Sequence, residues 1–241
     1  MITLDRHCQL SREISEADTR ASIVAAMKKL PAQFGFRYYA LMRAPAAADT
    51  CIEPLMVETN LTRSYIREFD SKKLLAVCPV APLLANMALP LCWTCTENIE
   101  ECWPLQFTDE LRHVLTSHGV STGVAMPLVS SDSSTYLMRL DGERPLLTLP
   151  ELNELGMLFV QAFRTFDRLR ATEVLERNFL TAREMEVLRW TSQGKTSSEI
   201  ANILSLSDHT VNAYLNKAIK KLDCVNRTQL VAKAIRLRLI S

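Results

Sequence analysis

His209, Asn212, Asn216, Lys217 and Lys220 stand three and four residues apart, while Val211, Tyr214, Leu215, Ala218, Ile219 and Leu222 interleave with them. On a helix this spacing puts the polar set on one side and the apolar set on the other. Asparagine amides offer a donor beside an acceptor and fit base edges, and lysines neutralise phosphates. The chemistry is that of a surface for double-stranded DNA. Lys195, Thr196, Ser207 and Thr210 stand where helix starts would meet the phosphate backbone.

The elements that must hold this face carry local start and stop signals. Thr181 precedes Glu184 by three residues, and Thr196 precedes Glu199 by the same step, so both pairs predict capping boxes. A first helix is expected from about Ala182, with Met185, Val187, Leu188 and Trp190 inward and Gly194 at its end. A second follows Thr196, with Ile200, Ala201, Ile203 and Leu204 inward. After the tight Ser205-Leu206-Ser207 connection, Ser207 caps the third helix. Two short helices joined by a three-residue turn have the geometry that fits a helix into a major groove. An ordinary helical hairpin with a wet polar face is the alternative. Charge favours DNA: residues 177–241 hold 11 Lys and Arg against 5 Asp and Glu, whereas residues 1–176 hold 17 against 22. A pI near 7.6 conceals a basic head on an acidic body.

This segment resembles the DNA-binding domain of the LuxR family of bacterial transcription regulators. The matching pieces are Leu180 to Glu184 (L-T-x-R-E), Gly194 to Ala201 (G-K-T-x-x-E-I-A) and Thr210 to Leu222 (T-V-x-x-Y-x-x-x-A-x-x-K-L). The likeness continues through Asn226-Arg227-Thr228-Gln229 and Val231-Ala232-Lys233-Ala234 to Leu239-Ile240. The resemblance implies a dimer on a two-fold operator, with the last helix, about Thr228 to Arg238, packing two heads together through Leu230, Ala234 and Ile235, beside Val231. Burial of that row within one head is the alternative.

The chain is long enough for a second domain with its own core. Ser11 to Leu30 has helical spacing. Phe36 to Met42, Met126 to Val129 and Thr135 to Leu140 read as strands, the last two joined by the turn Ser130 to Ser134, and Pro150 to Leu169 reads as a long amphipathic helix. The expected fold class is α+β: residues 1–170 an α/β/α sandwich with an antiparallel sheet, residues 171–179 a linker lacking Gly and Pro, and residues 180–241 an all-α four-helix helix-turn-helix domain. Leu74 to Thr96 holds no charged residue, but Pro79, Pro82 and Pro90, with Asn86 among them, argue against a membrane span and for a buried loop–helix segment. No export signal opens the chain, and a cytoplasmic location is expected. Its seven cysteines are expected as reduced thiols. Cys92 and Cys95 form a C-x-x-C pair, followed only by Cys102, His113 and His118 at irregular spacing, so neither a metal nor a cofactor is expected.

The body also resembles the ligand-binding domain of LuxR-type quorum-sensing regulators, which encloses an acyl-homoserine lactone. Family members carry a tryptophan, a tyrosine four residues on, an aspartate–proline pair nine residues later, a second tryptophan, and a glycine ahead of an M-P-L strand. In register these are Tyr65, Phe69, Cys78-Pro79, Trp93, and Gly123 before Met126-Pro127-Leu128. By that resemblance the first tryptophan donates to the lactone carbonyl, the tyrosine hydroxyl reaches the acyl carbonyl, and the aspartate accepts from the amide. Tyr65 keeps a donor with a different reach, Phe69 has none, and Cys78 is a weak partner. Arg139 stands where a small polar residue is common in the family. It either faces the chamber and favours an acceptor such as a carboxylate, or points to solvent. Three functions follow for the body: a sensor of another small molecule, a ligand-independent dimerisation module for a homodimer or a pair with a related regulator, and a conventional lactone sensor. A catalytic domain is disfavoured, since no nucleophile elbow, phosphate-cradling loop or metal-spaced cluster occurs.

Overall fold

The computed structural model describes residues 2–85, 87–96, 105–177, 180–237 and 239–240, with side chains omitted for 2–8 and 173–177. Asn86 and Cys102 lie outside the described residues. The chain divides into two compact units, residues 1–130 with 134–169, and residues 131–133 with 170–241.

In the first unit a five-stranded antiparallel sheet runs in the order β2-β1-β5-β4-β3, with β1 Tyr38–Arg43, β2 Met56–Thr59, β3 Leu91–Thr94, β4 Thr122–Val129 and β5 Thr135–Gly142. Helices α1 (Ile2–Glu16), α2 (Arg20–Met27), α3 (Leu30–Gln33) and α7 (Leu149–Arg177) enclose one core with the sheet. Helices α4 (Arg63–Ser71), α5 (Val80–Leu84) and α6 (Asp109–Ser117) enclose the other. Side chains alternate across a strand, so Tyr39, Leu41, Met138 and Leu140 enter the first core while Tyr38, Ala40 and Leu137 enter the second. On α7 the residues Leu155, Leu158, Phe159, Ala162, Phe163 and Phe166 recur at helical spacing and are buried against the sheet.

Several expectations are refined. The helical stretch from Ser11 is interrupted: Thr19 accepts from the Ser22 amide and Ser22 caps it reciprocally, so α2 starts afresh. The β4–β5 connection is the expected serine turn, closed by the Ser130 amide donating to Ser134 O at 2.9 Å. The uncharged stretch from Leu74 is a 3₁₀ turn, the short α5, and strand β3, which the proline-rich sequence concealed. No helix among the described residues is long and apolar enough to cross a membrane. Cys92 packs towards the first core and Cys95 sits in the second, so the pair is split across the sheet. Helix α7 continues to Arg177, through most of the segment expected as a linker.

The second unit holds α8 (Ala182–Ser192), α9 (Ser197–Leu204), α10 (Asp208–Lys221) and α11 (Arg227–Arg236). Both capping boxes form, at Thr181 with Glu184 and at Thr196 with Glu199, and Ser207 accepts from the Thr210 amide. Ser205 turns the chain between α9 and α10 at φ 55°, a left-handed conformation. Ile200, Ala201, Val211, Leu215, Ala218 and Leu222 are buried with Val187 and Leu188. Ile203, expected inside, is 43% exposed, because one residue's turn beyond the Ile200–Leu204 row carries it off the inner face.

A long-range bond locks this unit. Glu184 is buried and accepts from Lys221 Nζ at 2.7 Å. Burial pushes its carboxyl pKa up, but Lys221 and the Thr181 amide outweigh this and hold it below the ordinary glutamate range. Because its folded value is the lower one, the stability it contributes is full above the unfolded value of about 4.3 and is lost as pH falls through that value to the folded one. Lys221→Met should destabilise the unit by roughly 1–2 kcal/mol, the lysine end being partly solvent-screened. It should also flatten the acid limb, as read by hydrogen exchange of α8 and α10 peptides across pH.

Candidate ligand chamber and nucleic-acid interface

Thr62 caps α4, and Tyr65 and Phe69, one turn apart, point inward from it and are buried. Cys78 ends the 3₁₀ turn that begins after Lys73, whose φ is 51°. Trp93 lies on β3 directly across from Gly123 on β4. On β5, Arg139 pairs across the sheet with Ala40 and Ala125, and Asp141 with Tyr38 and Gly123. The second-core face therefore gathers Tyr65, Phe69, Cys78 and Trp93 around Arg139. Period-two alternation puts Arg139 on the inside face with Leu137 and Asp141, which settles the alternative of a solvent-facing arginine.

Sequence reasoning did not single out Asp141. It is fully buried, and its Oδ2 accepts from Arg139 Nε at 2.7 Å. Its Oδ1 is buried without a hydrogen-bond partner, and the equally buried Tyr65 hydroxyl has only an imperfect approach from Arg139. Two positions along a strand share a face, so the Arg-x-Asp spacing was the available signal. Burial is the largest influence on the Tyr65 hydroxyl and pushes its pKa well up. Arg139 is near enough to oppose the rise, while Asp141 adds to it. Burial also works to lower the Arg139 pKa, but Asp141, then Tyr65, raise it above its usual value, so the guanidinium stays charged. Burial likewise pushes the Cys78 thiol up, which keeps it protonated.

Gly123 makes this packing fit. A Cβ there would stand 2.5 Å from Trp93 Cε2 and 2.8 Å from Asp141 Oδ1. Trp93 also packs on Phe107, with ring centroids 5.4 Å apart.

In the second unit His209, Asn212, Asn216, Lys217 and Lys220 are all exposed on one side of α10. Ser197 of α9 donates to Asn212 Oδ1 at 2.8 Å, leaving the Asn212 amide nitrogen as a donor. Ser198 donates to Asp208 Oδ2 at 2.6 Å. These two serines position the face and were not expected to. Lys195 forms an ion pair with Glu199 at 3.3 Å, and its carbonyl accepts from Arg227. The Thr196 and Ser207 hydroxyls hold helix starts, accepting from the Glu199 and Thr210 amides. The expected contact row on α11 needs correction: Leu230 and Ala234, four apart, are wholly buried in the head's own core, and only Ile235, 51% exposed, faces out.

Residues 178–234 match the family model described as bacterial regulatory proteins, luxR family, and residues 19–164 match the autoinducer binding domain. The chain is 29% identical over 219 residues to the HTH-type quorum sensing-dependent transcriptional regulator RpaR of Rhodopseudomonas palustris, covering 91% of this chain and 88% of that protein. Its fold is similar to a crystal structure of Escherichia coli SdiA, with a TM-score of 0.67, 24% identity and 99% of each chain covered. It is also similar to SdiA in complex with octanoyl-rac-glycerol, with a TM-score of 0.60, 22% identity, and 97% and 95% covered.

Gly123→Ala should destabilise the first unit by about 1–3 kcal/mol through overpacking against Trp93, measurable as a shift in urea midpoint. Lys220→Ala should weaken DNA binding on all sequences and reduce the slope of log affinity against log salt by about 1. Unchanged binding across a salt series would misplace the basic face.

Proposed function

The chain belongs to the luxR family of bacterial regulatory proteins, as a DNA-binding transcription regulator with an autoinducer-binding domain, and on that premise we propose that its chamber takes a small molecule other than a standard acyl-homoserine lactone. The observation that carries this reading is the chemistry at three neighbouring positions. Phe69 has no donor, Cys78 is a protonated thiol rather than an anionic acceptor, and Tyr65 presents a hydroxyl from a smaller ring system. A hydrogen bond to a charged group contributes roughly 1.5–3 kcal/mol, so losing the acceptor at 78 and leaving a buried amide unpaired would lower lactone affinity by about 10- to 1,000-fold.

Double-stranded DNA is the partner of the head, contacted by Asn212, Asn216, Lys217 and Lys220, with His209 beside them and the helix starts at Lys195, Thr196, Ser207 and Thr210 nearer the phosphates. Two copies, or one copy with a related regulator, would read a two-fold operator, with Ile235 the exposed apolar contact on α11 and residues 171–179 joining body to head. The reading puts the protein in the cytoplasm with its DNA. The Arg139–Asp141 pair, in which each charge already has a partner, favours a second reading: a dimerisation module that needs no ligand. Operator binding at full strength by protein made without any small molecule would mark that reading.

A ligand that binds only the folded state raises the melting temperature. Melting the purified chain with a panel of lactones and with host-cell extract should give a shift with extract alone. A clear shift with a standard lactone would overturn the proposal.

A further inference from the structure

We propose that Asp141, held by Arg139, is the hydrogen-bond acceptor of the chamber and selects a neutral ligand head carrying a donor, a hydroxyl or an amide, against carboxylates. This rests on the reading of the body as a ligand-binding domain.

Three observations carry it. First, Asp141 Oδ1 is buried and unpartnered in a residue 0% exposed, while Oδ2 is engaged by Arg139, and the equally buried Tyr65 hydroxyl has only an imperfect approach from that same guanidinium. A buried carboxylate oxygen left unpaired is costly, so it calls for a donor. Second, Arg139 keeps 16% of its side chain accessible although desolvation is the largest influence on it. Of its guanidinium nitrogens Nε is engaged by Asp141, and the guanidinium also lies within reach of the Tyr65 hydroxyl. The remaining nitrogens are donors for a carbonyl or hydroxyl oxygen. Third, the same strand row continues to Leu137, which with Ala81, Leu84 and Met87 lines a half-open, mostly apolar groove of about 430 Å³ that reaches the exposed Val129 at the end of the sheet and stops short of Arg139 and Asp141. Positions 137 and 141 are about 13 Å apart along the strand, the span of a medium acyl chain with a small head.

The charge count excludes the carboxylate that Arg139 alone would invite. One guanidinium already faces one carboxylate, so an anionic head would add a second negative charge beside Asp141 in a desolvated space where, among the described residues, the nearby His118 against Tyr65 is already paired with Glu68. It would also bring no donor to Oδ1. A neutral head with a donor and an acceptor satisfies Oδ1, the tyrosine hydroxyl and the guanidinium together. The acceptor lost at position 78 is in this way supplied from the opposite wall, by β5.

The test sets one acyl chain on three heads: octanoylglycerol, N-octanoyl homoserine lactone and octanoate, each titrated against the full chain by thermal shift and by calorimetry. Octanoylglycerol should raise the melting temperature, octanoate and the lactone should not, and Asp141→Asn should weaken octanoylglycerol at least about ten-fold. Because Asp141→Asn strands a buried guanidinium, the paired replacement Arg139→Gln with Asp141→Asn is run beside it. That variant removes both charges, should fold, and should bind octanoate no worse than the neutral heads. Octanoate binding the parent as well as a neutral head overturns the proposal, as does a neutral ligand indifferent to both variants, or no shift from any head. A shift with the lactone alone, abolished by Asp141→Asn, sustains the role of Asp141 and instead overturns the reading that the ligand is not a lactone.

Discussion

A guanidinium and a carboxylate two residues apart on a central strand are buried together or not at all. Arg139 and Asp141 lie in the middle of the sheet, and removing either would leave the other as an uncompensated charge in a desolvated space. Three of the four cross-strand neighbours of the pair are small, the fourth being Tyr38 opposite Asp141. Ala40 and Ala125 flank Arg139 on β1 and β4, and Gly123 flanks Asp141. A side chain at Gly123 would run into the Trp93 ring and Asp141 Oδ1, so the glycine on β4 is tied to this packing. The ion pair also sets the electrostatics of its neighbours: Arg139 works against, and Asp141 with, the rise that burial imposes on Tyr65 and Cys78.

The sheet keeps its two faces for different tasks. Tyr39, Leu41, Met138 and Leu140 meet α7 and the first three helices in a packed apolar layer. The opposite row, Tyr38, Ala40, Leu137, Arg139 and Asp141, meets short helices and 3₁₀ turns, with smaller and more polar side chains. Long helices bury long continuous stripes. Short segments broken by Pro79, Pro82 and Pro90 cannot, and the core under them is built instead from separate side chains such as Leu74, Val80, Leu84 and Trp93.

What was legible in the sequence depended on the range of the interactions involved. The head helices start where Thr181, Thr196 and Ser207 said they would, because a cap is settled within three residues. Strands β4 and β5 were visible as apolar runs around a serine turn. Strands β2 and β3 were not, being four residues each and paired only through distant partners. Arg139 could be placed on one of two faces but not chosen between them, since the choice is made by register with β1 and β4. Leu230 and Ala234 were misjudged for a related reason. An apolar row on a last helix serves a partner or its own domain equally well in sequence, and only the position of α8 and α10 decides it. Ser197 and Ser198 left no signal at all, because their partners Asn212 and Asp208 are fixed by the angle between two helices.

The same distinction locates the charge of the head. Of its acidic residues, Glu184, Glu186 and Glu199 each cancel one particular cation, Lys221, Arg183 and Lys195. Lys220 and Lys221 are adjacent in sequence yet differ in fate, because a helix turns about 100° per residue and carries one outward and the other to the buried Glu184. The excess positive charge therefore does not spread evenly over the unit. On α10 it collects at Lys217 and Lys220, beside Asn216 and the Ser197-braced Asn212. Amides held in place read base edges, and the cations next to them supply attraction that does not depend on sequence. With one helix carrying both on the proposed DNA face, the field that would bring DNA close would also bring it to the residues proposed to discriminate.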